Sequence, residues 1–406
     1  MLILLKNNKM FRKLLAYQIF SGLGGGVFSL FMLLSIHMIY ENPIYTGIAG
    51  FLMAAPHIIA FAMGPIVDRR NKVSILRITT FLEFAVLALL SFTLLQETFG
   101  IILLFAVVTV FSFSALFEGS ARTAYLPQIV IGDELMQANA LLQISSFGGG
   151  LLVATGLFLV LGNTTLDFRF IYGISTVFLA IALVFSFTIA DPSTPTKTTA
   201  KPGYMQDLLA GGKFIRQSVL LFITVATVAK MFSVEMSNVN RPAFLEYHVG
   251  AQGYIIFAMA GLLGGILASA IIGTLGNKIS IGWLICGLFV MAGGMRIVST
   301  LVIPVSYWYG LGTTVLYAIL GTALSTVKST LFQKTPPKDM VARVNTIQTT
   351  FVAIFATIGA LFGGFLGNVV ADVGQVFIYQ GIVYVVIGLM IILVSSIRKL
   401  PKMNEI

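Results

Sequence analysis

The chain has 406 residues, of which 57% are hydrophobic and 10% are charged, whereas an average soluble protein has about 25% charged residues. This composition excludes a soluble enzyme, and it suffices for twelve membrane spans of about 20 residues each. The net charge of +10 is expected at the ends of such spans and not on a nucleic-acid-binding face. With one cysteine, Cys286, and three scattered histidines, neither an intramolecular disulfide nor a metal site is expected.

Apolar runs separated by short polar segments predict the spans. The first six are residues 14–40, 44–67, 73–95, 99–122, 138–162 and 166–190. The second six are residues 217–246, 251–274, 280–303, 307–330, 345–370 and 375–397. Between the two sets, a segment rich in Pro, Ser, Thr, Lys and Gly is typical of a flexible linker. The predicted organisation is an N-terminal half at 1–190, a cytoplasmic linker at 191–216 and a C-terminal half at 217–406.

The distribution of basic residues predicts the orientation. With the N-terminus inside the cell, 21 of the 25 lysines and arginines fall in cytoplasmic loops and tails, as the positive-inside rule requires. Arg169 and Arg241 fall outside, while Lys230 and Arg296 lie within spans. The start of the chain carries four cations and no small-residue cleavage site, so the first span is expected to be retained. We expect a multi-pass protein of the cell membrane with both termini in the cytoplasm.

Two segments of the chain are alike at a shift of 206 positions. Arg122 and Lys328 each end an even-numbered span, and each is followed by a proline-containing loop and a new helix. This similarity predicts an internal repeat of six spans.

The loop between spans two and three reads Gly64-Pro-Ile-Val-Asp68-Arg69-Arg70-Asn71-Lys72. It resembles the cytoplasmic signature of the major facilitator superfamily. Residues 127–140 are similar to the loop after span four in a bacterial group of macrolide and siderophore exporters. The resemblance implies the major facilitator fold, two pseudo-symmetric six-helix halves that can act as a monomer. It also implies export of a small amphipathic compound, driven by protons, through alternating access.

The same loop is a candidate gate. Gly64 allows two helices to approach closely, Asp68 can accept hydrogen bonds from the start of a neighbouring helix, and Arg69 can balance its charge. Arg122 is a further candidate partner of Asp68. The alternative is an ordinary solvated basic turn that satisfies the positive-inside rule.

Ionisable side chains inside spans are candidates for function, because each costs about 2.5–3.5 kcal/mol at mid-depth. Glu235 and Glu83 are candidates for proton coupling. Glu235 could instead form a structural ion pair with Arg296 at comparable depth, and Glu83 could be a structural hydrogen-bonded carboxyl. Lys230 could lose its proton or bind an anionic substrate.

The resemblance implies that spans one, four, seven and ten line a central cavity. Span seven is expected to carry Glu235, Asn238 and Arg241 as one polar stripe at spacings of three. The candidate cavity residues are Lys230, Asn238, Arg241, Arg296, Tyr309, Thr313, Tyr317, Ser114 and Glu118. A wall of Tyr, Phe, Met and Ser with a few charges favours an amphipathic organic substrate.

Other functions remain compatible with these spans. The same helices could serve an uptake transporter, a lipid-related transporter or a membrane sensor that binds a ligand without moving it. An integral-membrane enzyme is not expected, because the sequence shows no catalytic triad and no paired carboxylates at matched depth. No cofactor is expected. The expected partners are a small-molecule substrate, protons and the lipid bilayer.

Overall fold

The computed structural model describes residues 8–62, 66–67, 70–92, 98–130, 138, 141–142, 145, 156, 167–190, 204–275, 280–337 and 340–402. Within these ranges the regular structure is helical, apart from one isolated β-bridge between Ser280 and Lys402. Eleven helices in the described part are long and apolar enough to cross a membrane. The predicted fifth span, residues 138–162, lies almost entirely outside the described residues.

The chain divides into two compact units. Unit 1 contains Met1–Glu41 and Leu52–Ala200, and unit 2 contains Asn42–Phe51 and Lys201–Ile406. The helices wholly within unit 1 are α1 (Lys9–Tyr40), α3 (Lys72–Ser91), α4 (Thr98–Ile129) and α5 (Phe168–Thr188). Helix α2 (Pro43–Ala54) begins in unit 2. The first part of span two, up to Phe51, therefore groups with the second unit.

Span two changes its helix type midway. Helix α2 gives way to a 3₁₀ segment at Ala55–Ala62. Pro56 lies at this change, and its backbone nitrogen has no hydrogen to donate to the hydrogen bond that an α-helix needs.

In unit 1, α1 packs against α5, and α3 packs against α4 and α5. Side-chain caps fix the starts of three helices: Asn8 accepts from Phe11 N, Asn71 accepts from Ser74 N, and Asp167 accepts from Arg169 N. Asn71 therefore caps α3 from an extended backbone (φ −65°, ψ 118°). A hydrogen bond from the Arg169 side chain holds the pKa of Asp167 below its ordinary value.

The described part of unit 2 contains eight further helices, one of which is interrupted at Gly250, where the backbone is not helical (φ 72°, ψ 170°). They are α6 (Tyr204–Gln217), α7 (Leu220–Asn238), α8 (Arg241–Leu275), α9 (Ile281–Val302), α10 (Tyr307–Lys334), α11 (Val341–Val369) and α12 (Gly374–Leu393), followed by the short α13 (Ser395–Arg398). Helix α6 occupies the second part of the segment expected to be a flexible linker. It packs against α7 and α11, so residues 204–216 are ordered by tertiary contacts.

Glycines set the distance between α7 and α11. A Cβ added at Gly359 would overlap the carbonyl oxygen of Phe232, and one added at Gly363 would overlap that of Met236. The two glycines are four residues apart, so they lie on the same face of α11. The hydrophobic effect does not drive helices together in lipid, so van der Waals packing at close backbone contacts of this kind stabilises the helix pair.

Span seven ends earlier than the sequence predicted. Helix α7 ends at Asn238, and Arg241 begins the next helix, whose second residue is Pro242. Proline is well suited to a first turn, where no backbone donor is needed. The buried Asn240 lies at the break and donates from Nδ2 to the carbonyl oxygens of Met236 (3.0 Å) and Gly363 (2.7 Å). The predicted stripe of Glu235, Asn238 and Arg241 on one helix is therefore wrong for Arg241.

Candidate functional site

Unit 1 contains a buried polar cluster, here called the carboxylate cluster. Helix α1 supplies three of its side chains, and α3 and α4 supply two each. The members are Tyr17, Gln18, Ser21, Thr80, Glu83, Glu118 and Arg122. All but Arg122 are at most 7% exposed. The members from each helix are one to four residues apart, so a single face of each helix contributes.

Glu118 is the better-satisfied carboxylate of the cluster. It accepts from Ser21 Oγ at 3.2 Å (Oε1) and 3.4 Å (Oε2). Arg122, one turn further along α4, lies with Nη1 3.9 Å from Glu118 Oε1. Arg122 also donates to Gln18 Oε1. One guanidinium therefore compensates one carboxylate and is held against α1 by an amide.

Glu83 is the less satisfied carboxylate. Its Oε1 atom is buried and has no hydrogen-bond partner among the described residues. Glu118 is the charged group whose field acts on Glu83. On the neighbouring turn, Thr80 Oγ1 hydrogen-bonds to the hydroxyl of Tyr17 at 2.8 Å. Glu83 and Glu118 thus belong to one buried cluster between two helices that pack side by side.

The charge balance of the cluster depends on one proton. With Glu118 ionised and Arg122 charged, a protonated Glu83 leaves the cluster neutral. An ionised Glu83 leaves it with a net charge of −1 at a site where an uncompensated charge costs about 2.5–3.5 kcal/mol. Two neighbouring carboxylates also disfavour simultaneous ionisation. The ionisation state of Glu83 therefore sets the net charge of the cluster.

An open groove of about 440 Å³ runs along another part of α4 in the same unit. His57 lines one side of it. Ala115, Leu116, Gly119, Ser120, Thr123 and Ala124 line the other. Mostly small side chains on three successive turns of α4 line this space, which lies beside the residue positions that hold Glu118 and Arg122.

Unit 2 contains a hydrogen-bonded hub centred on Gln380 of α12. Its Oε1 accepts from Arg296 Nε and from Ser237 Oγ, both at 2.8 Å. Its Nε2 donates to the Tyr317 hydroxyl at 3.0 Å. The guanidinium of Arg296 lies 4.9 Å from the ring centroid of Tyr317 and 4.5 Å from that of Phe377. Four helices, α7, α9, α10 and α12, meet at this amide.

The possible ion pair between Glu235 and Arg296 is not present in the described residues. Glu235 Oε2 instead accepts a long 3.4 Å hydrogen bond from Asn238 Nδ2, and Arg296 is occupied by Gln380 and two aromatic rings. An aromatic cage and an amide can hold a buried guanidinium without a carboxylate.

The remaining candidates are distributed over the two units. Lys230 of α7 donates from Nζ to Ser325 Oγ of α10 at 2.9 Å, and Arg241 donates to the carbonyl oxygen of Phe257 at 3.3 Å. Thr313 Oγ1 bonds back to the carbonyl of Tyr309, whose side chain is 76% exposed.

One further cavity candidate lies in the described part of the chain, whereas three of the gate candidates do not. Ser114 is buried one turn before Glu118 on α4. The gate candidates Gly64, Asp68 and Arg69 lie outside the described residues, so their predicted contacts with each other and with Arg122 stay predictions.

Sequence reasoning missed the polar side chains that complete both sites. Gln18 and Gln380 each stand in an otherwise apolar span, and this isolated amide was a signal that could have marked both helices. Tyr17, Ser21, Thr80, Ser237 and Ser325 carried no such signal, because hydroxyls are common in membrane spans and most of them bond to their own backbone.

A family model described as the Major Facilitator Superfamily matches residues 14–354. The chain belongs to this superfamily, and its family and fold are those of membrane transporters, which act on small-molecule substrates. The predicted all-α polytopic fold is confirmed.

Two relatives, both named enterobactin exporter EntS, come from Escherichia coli O1:K1 and Escherichia coli O45:K1. Each is 24% identical over 284 residues, which are 68% of this chain and 65% of the relative. The match thus spans less than two thirds of the relatives' length.

Solved transporter structures are similar in fold. The nucleoside transporter NupG has a TM-score of 0.71 at 14% identity, covering 96% of this chain and 99% of that one. A mutant of the peptide transporter POT in complex with sulfate has a TM-score of 0.75 at 13% identity, covering 97% and 96%. At these identities the similarity concerns the fold alone.

Proposed function

We propose that the chain is a secondary active transporter that exports a small amphipathic compound in exchange for protons, by alternating access. The resemblance to enterobactin exporters supports export as the direction of transport and a siderophore-like substrate. A drug-like or antibiotic-like substrate is the alternative, which the resemblance of residues 127–140 to macrolide exporters implies. The proposal includes a monomer of the cell membrane with cytoplasmic termini, two halves at 1–190 and 217–406 joined by the segment 191–216, and a gate formed by Gly64, Asp68, Arg69 and Arg122.

The observation that carries proton coupling is the buried Glu83 carboxylate. It lies beside Glu118, and the single cation of the cluster, Arg122, is paired with Glu118. Protonation of Glu83 makes the cluster neutral, whereas deprotonation leaves a net negative charge that favours access to water. A step that alternates the exposure of this carboxylate would carry one proton per cycle. Glu235 is the second candidate, and its carboxylate accepts a hydrogen bond from the amide of Asn238.

Everted membrane vesicles with an acidic lumen test the proposal. Enterobactin and a panel of amphipathic antibiotics serve as probes, with accumulation measured by mass spectrometry and lumenal pH by a fluorescent dye. The wild-type protein should concentrate a probe in the lumen and partly collapse the pH gradient. Glu83→Gln should lose gradient-driven accumulation but keep exchange of labelled for unlabelled probe. Glu41→Gln, which alters an exposed carboxylate, is the matched control.

The outcomes separate the competing functions. Wild-type accumulation by Glu83→Gln would remove Glu83 from coupling, and loss confined to Glu235→Gln would assign the proton to α7 instead. Accumulation only in the opposite direction would indicate an uptake transporter. Binding of a probe by purified protein without accumulation in any vesicle would indicate a sensor.

A further inference from the structure

Unit 2 contains a buried lysine, Lys230, and a second lysine, Lys328, that lies one turn from the hydrogen-bond partner of the first. Lys230 is the eleventh of the 19 residues of α7 and is 7% exposed. Its Nζ donates to Ser325 Oγ at 2.9 Å. Lys328 lies three residues after Ser325 on α10, so it projects from the same face one turn further on. Ser325 therefore has the Lys230 ammonium group in contact with it and the Lys328 side chain one turn away on its own helix.

No carboxylate of the described residues forms a salt bridge with either lysine. The acidic residue of α7, Glu235, is five positions after Lys230, or about 140° around the helix, so it projects from a different face. Its carboxylate is hydrogen-bonded to Asn238. An ammonium group has three donor hydrogens, and the structure gives Lys230 one acceptor. Among the described residues, the Ser325 hydroxyl is therefore the one side-chain acceptor of the Lys230 ammonium group, and a second cation lies nearby.

A buried cation, a second cation one turn away and a hydroxyl donor together have the chemistry of an anion site. The uncompensated Lys230 ammonium group, in the middle of α7, costs about 2.5–3.5 kcal/mol, and the like charge of the nearby Lys328 adds repulsion. A ligand with a compact group of negative oxygens would remove both penalties and accept hydrogen bonds from Nζ and Oγ. A neutral amide of the same shape would remove neither penalty.

We propose that Lys230, Ser325 and Lys328 form an oxyanion-binding site that receives the carboxylate or another anionic oxygen group of the transported compound. The assignment rests on the proposed transport function and deepens it, because it makes the exported compound an amphipathic anion. Lys230 acts as the direct ligand, Ser325 orients its ammonium group, and Lys328 adds positive charge one turn away.

Equilibrium binding to purified full-length protein in phosphatidylcholine nanodiscs tests the site without any proton gradient. The probes are 1-naphthoate and its neutral isostere 1-naphthamide, with affinity measured by isothermal titration calorimetry. We expect the wild-type protein to bind the carboxylate at least tenfold more tightly than the amide. Lys230→Gln should abolish that preference, Lys230→Arg should keep most of it, and Lys328→Gln should reduce it several-fold. Lys213→Gln, at an exposed lysine of α6, is the matched control.

Several results would overturn the proposal. Equal affinities of the wild-type protein for the two probes, or an unchanged preference in a folded Lys230→Gln variant, would do so. The melting temperature of each variant establishes folding, and it should rise in Lys230→Gln because a buried charge is removed. Competition by phosphatidylglycerol nanodiscs would assign the site to a lipid headgroup and not to the substrate. Because binding needs no gradient, failure of the anion site and failure of proton coupling in Glu83→Gln are distinguishable.

Discussion

Replacement of Gln380 by leucine tests whether the hub holds unit 2 together. The side chain is 2% exposed and joins three partners on three other helices: Arg296, Ser237 and Tyr317. Leucine has a similar volume but no polar atoms, so the change leaves two donors and one acceptor without their amide. Packing is nearly conserved, and the effect is dominated by the lost hydrogen bonds.

The expected loss of stability depends on whether the unfolded chain is in water or in the membrane. Water-soluble proteins lose about 1.5–3 kcal/mol per hydrogen bond to a charged group and about 0.5–1.5 kcal/mol per neutral one. Between membrane helices the average is about 0.6 kcal/mol, with a maximum of about 1.7 kcal/mol, because the unfolded chain in the membrane also finds partners. The guanidinium of Arg296 should fall at the upper limit. We therefore expect Gln380→Leu to lower the free energy of unfolding by about 2–4 kcal/mol.

Unfolding in mixed micelles, followed by circular dichroism as denaturing detergent is added, measures this loss. Gln375→Leu is the matched control: it makes the same change on α12, where the residue accepts one exposed 3.4 Å hydrogen bond from Tyr379, and it should change stability by less than about 0.5 kcal/mol. If Gln380→Leu and Gln375→Leu unfold at the same concentration of denaturing detergent, the hub does not stabilise unit 2. Arg296 must then be held by its two aromatic contacts.

Two further predictions concern packing and helix ends. Gly363→Ala should lower the free energy of unfolding by about 1–3 kcal/mol, because the new methyl group meets the backbone of α7. The control Gly312→Ala has nothing within 4 Å of its Cβ position and should be neutral or stabilising. Equal melting temperatures of the two variants would show that α11 can shift freely. Arg77→Met should lower the melting temperature, because the guanidinium donates to the carbonyls of Ser186 (3.3 Å) and Ile189 (3.2 Å) at the end of α5. The expected loss in the free energy of unfolding is about 1–3 kcal/mol. Wild-type melting behaviour of that variant would show that water replaces the cation.

Hydrophobicity and charge distribution were sufficient to predict the membrane class and most spans. A span needs about 20 apolar residues and leaves its cations at the water boundary, and both properties are local to the sequence. The linker and the end of span seven were less predictable. The contacts of α6 with α7 and α11 and the break at Asn240 depend on neighbouring helices.

Which ionisable residues meet was decided by the tertiary structure alone. Residue numbers along the spans predicted that Glu235 and Arg296 lie at a comparable depth in the membrane. In the described residues, however, Arg296 bonds to Gln380 and Glu235 bonds to Asn238. Depth along a helix follows from residue number, whereas the partner depends on how each helix is rotated about its axis, and packing against other helices sets that rotation. For the same reason the sequence marked Glu83 as costly to bury but could not show that Glu118 lies beside it.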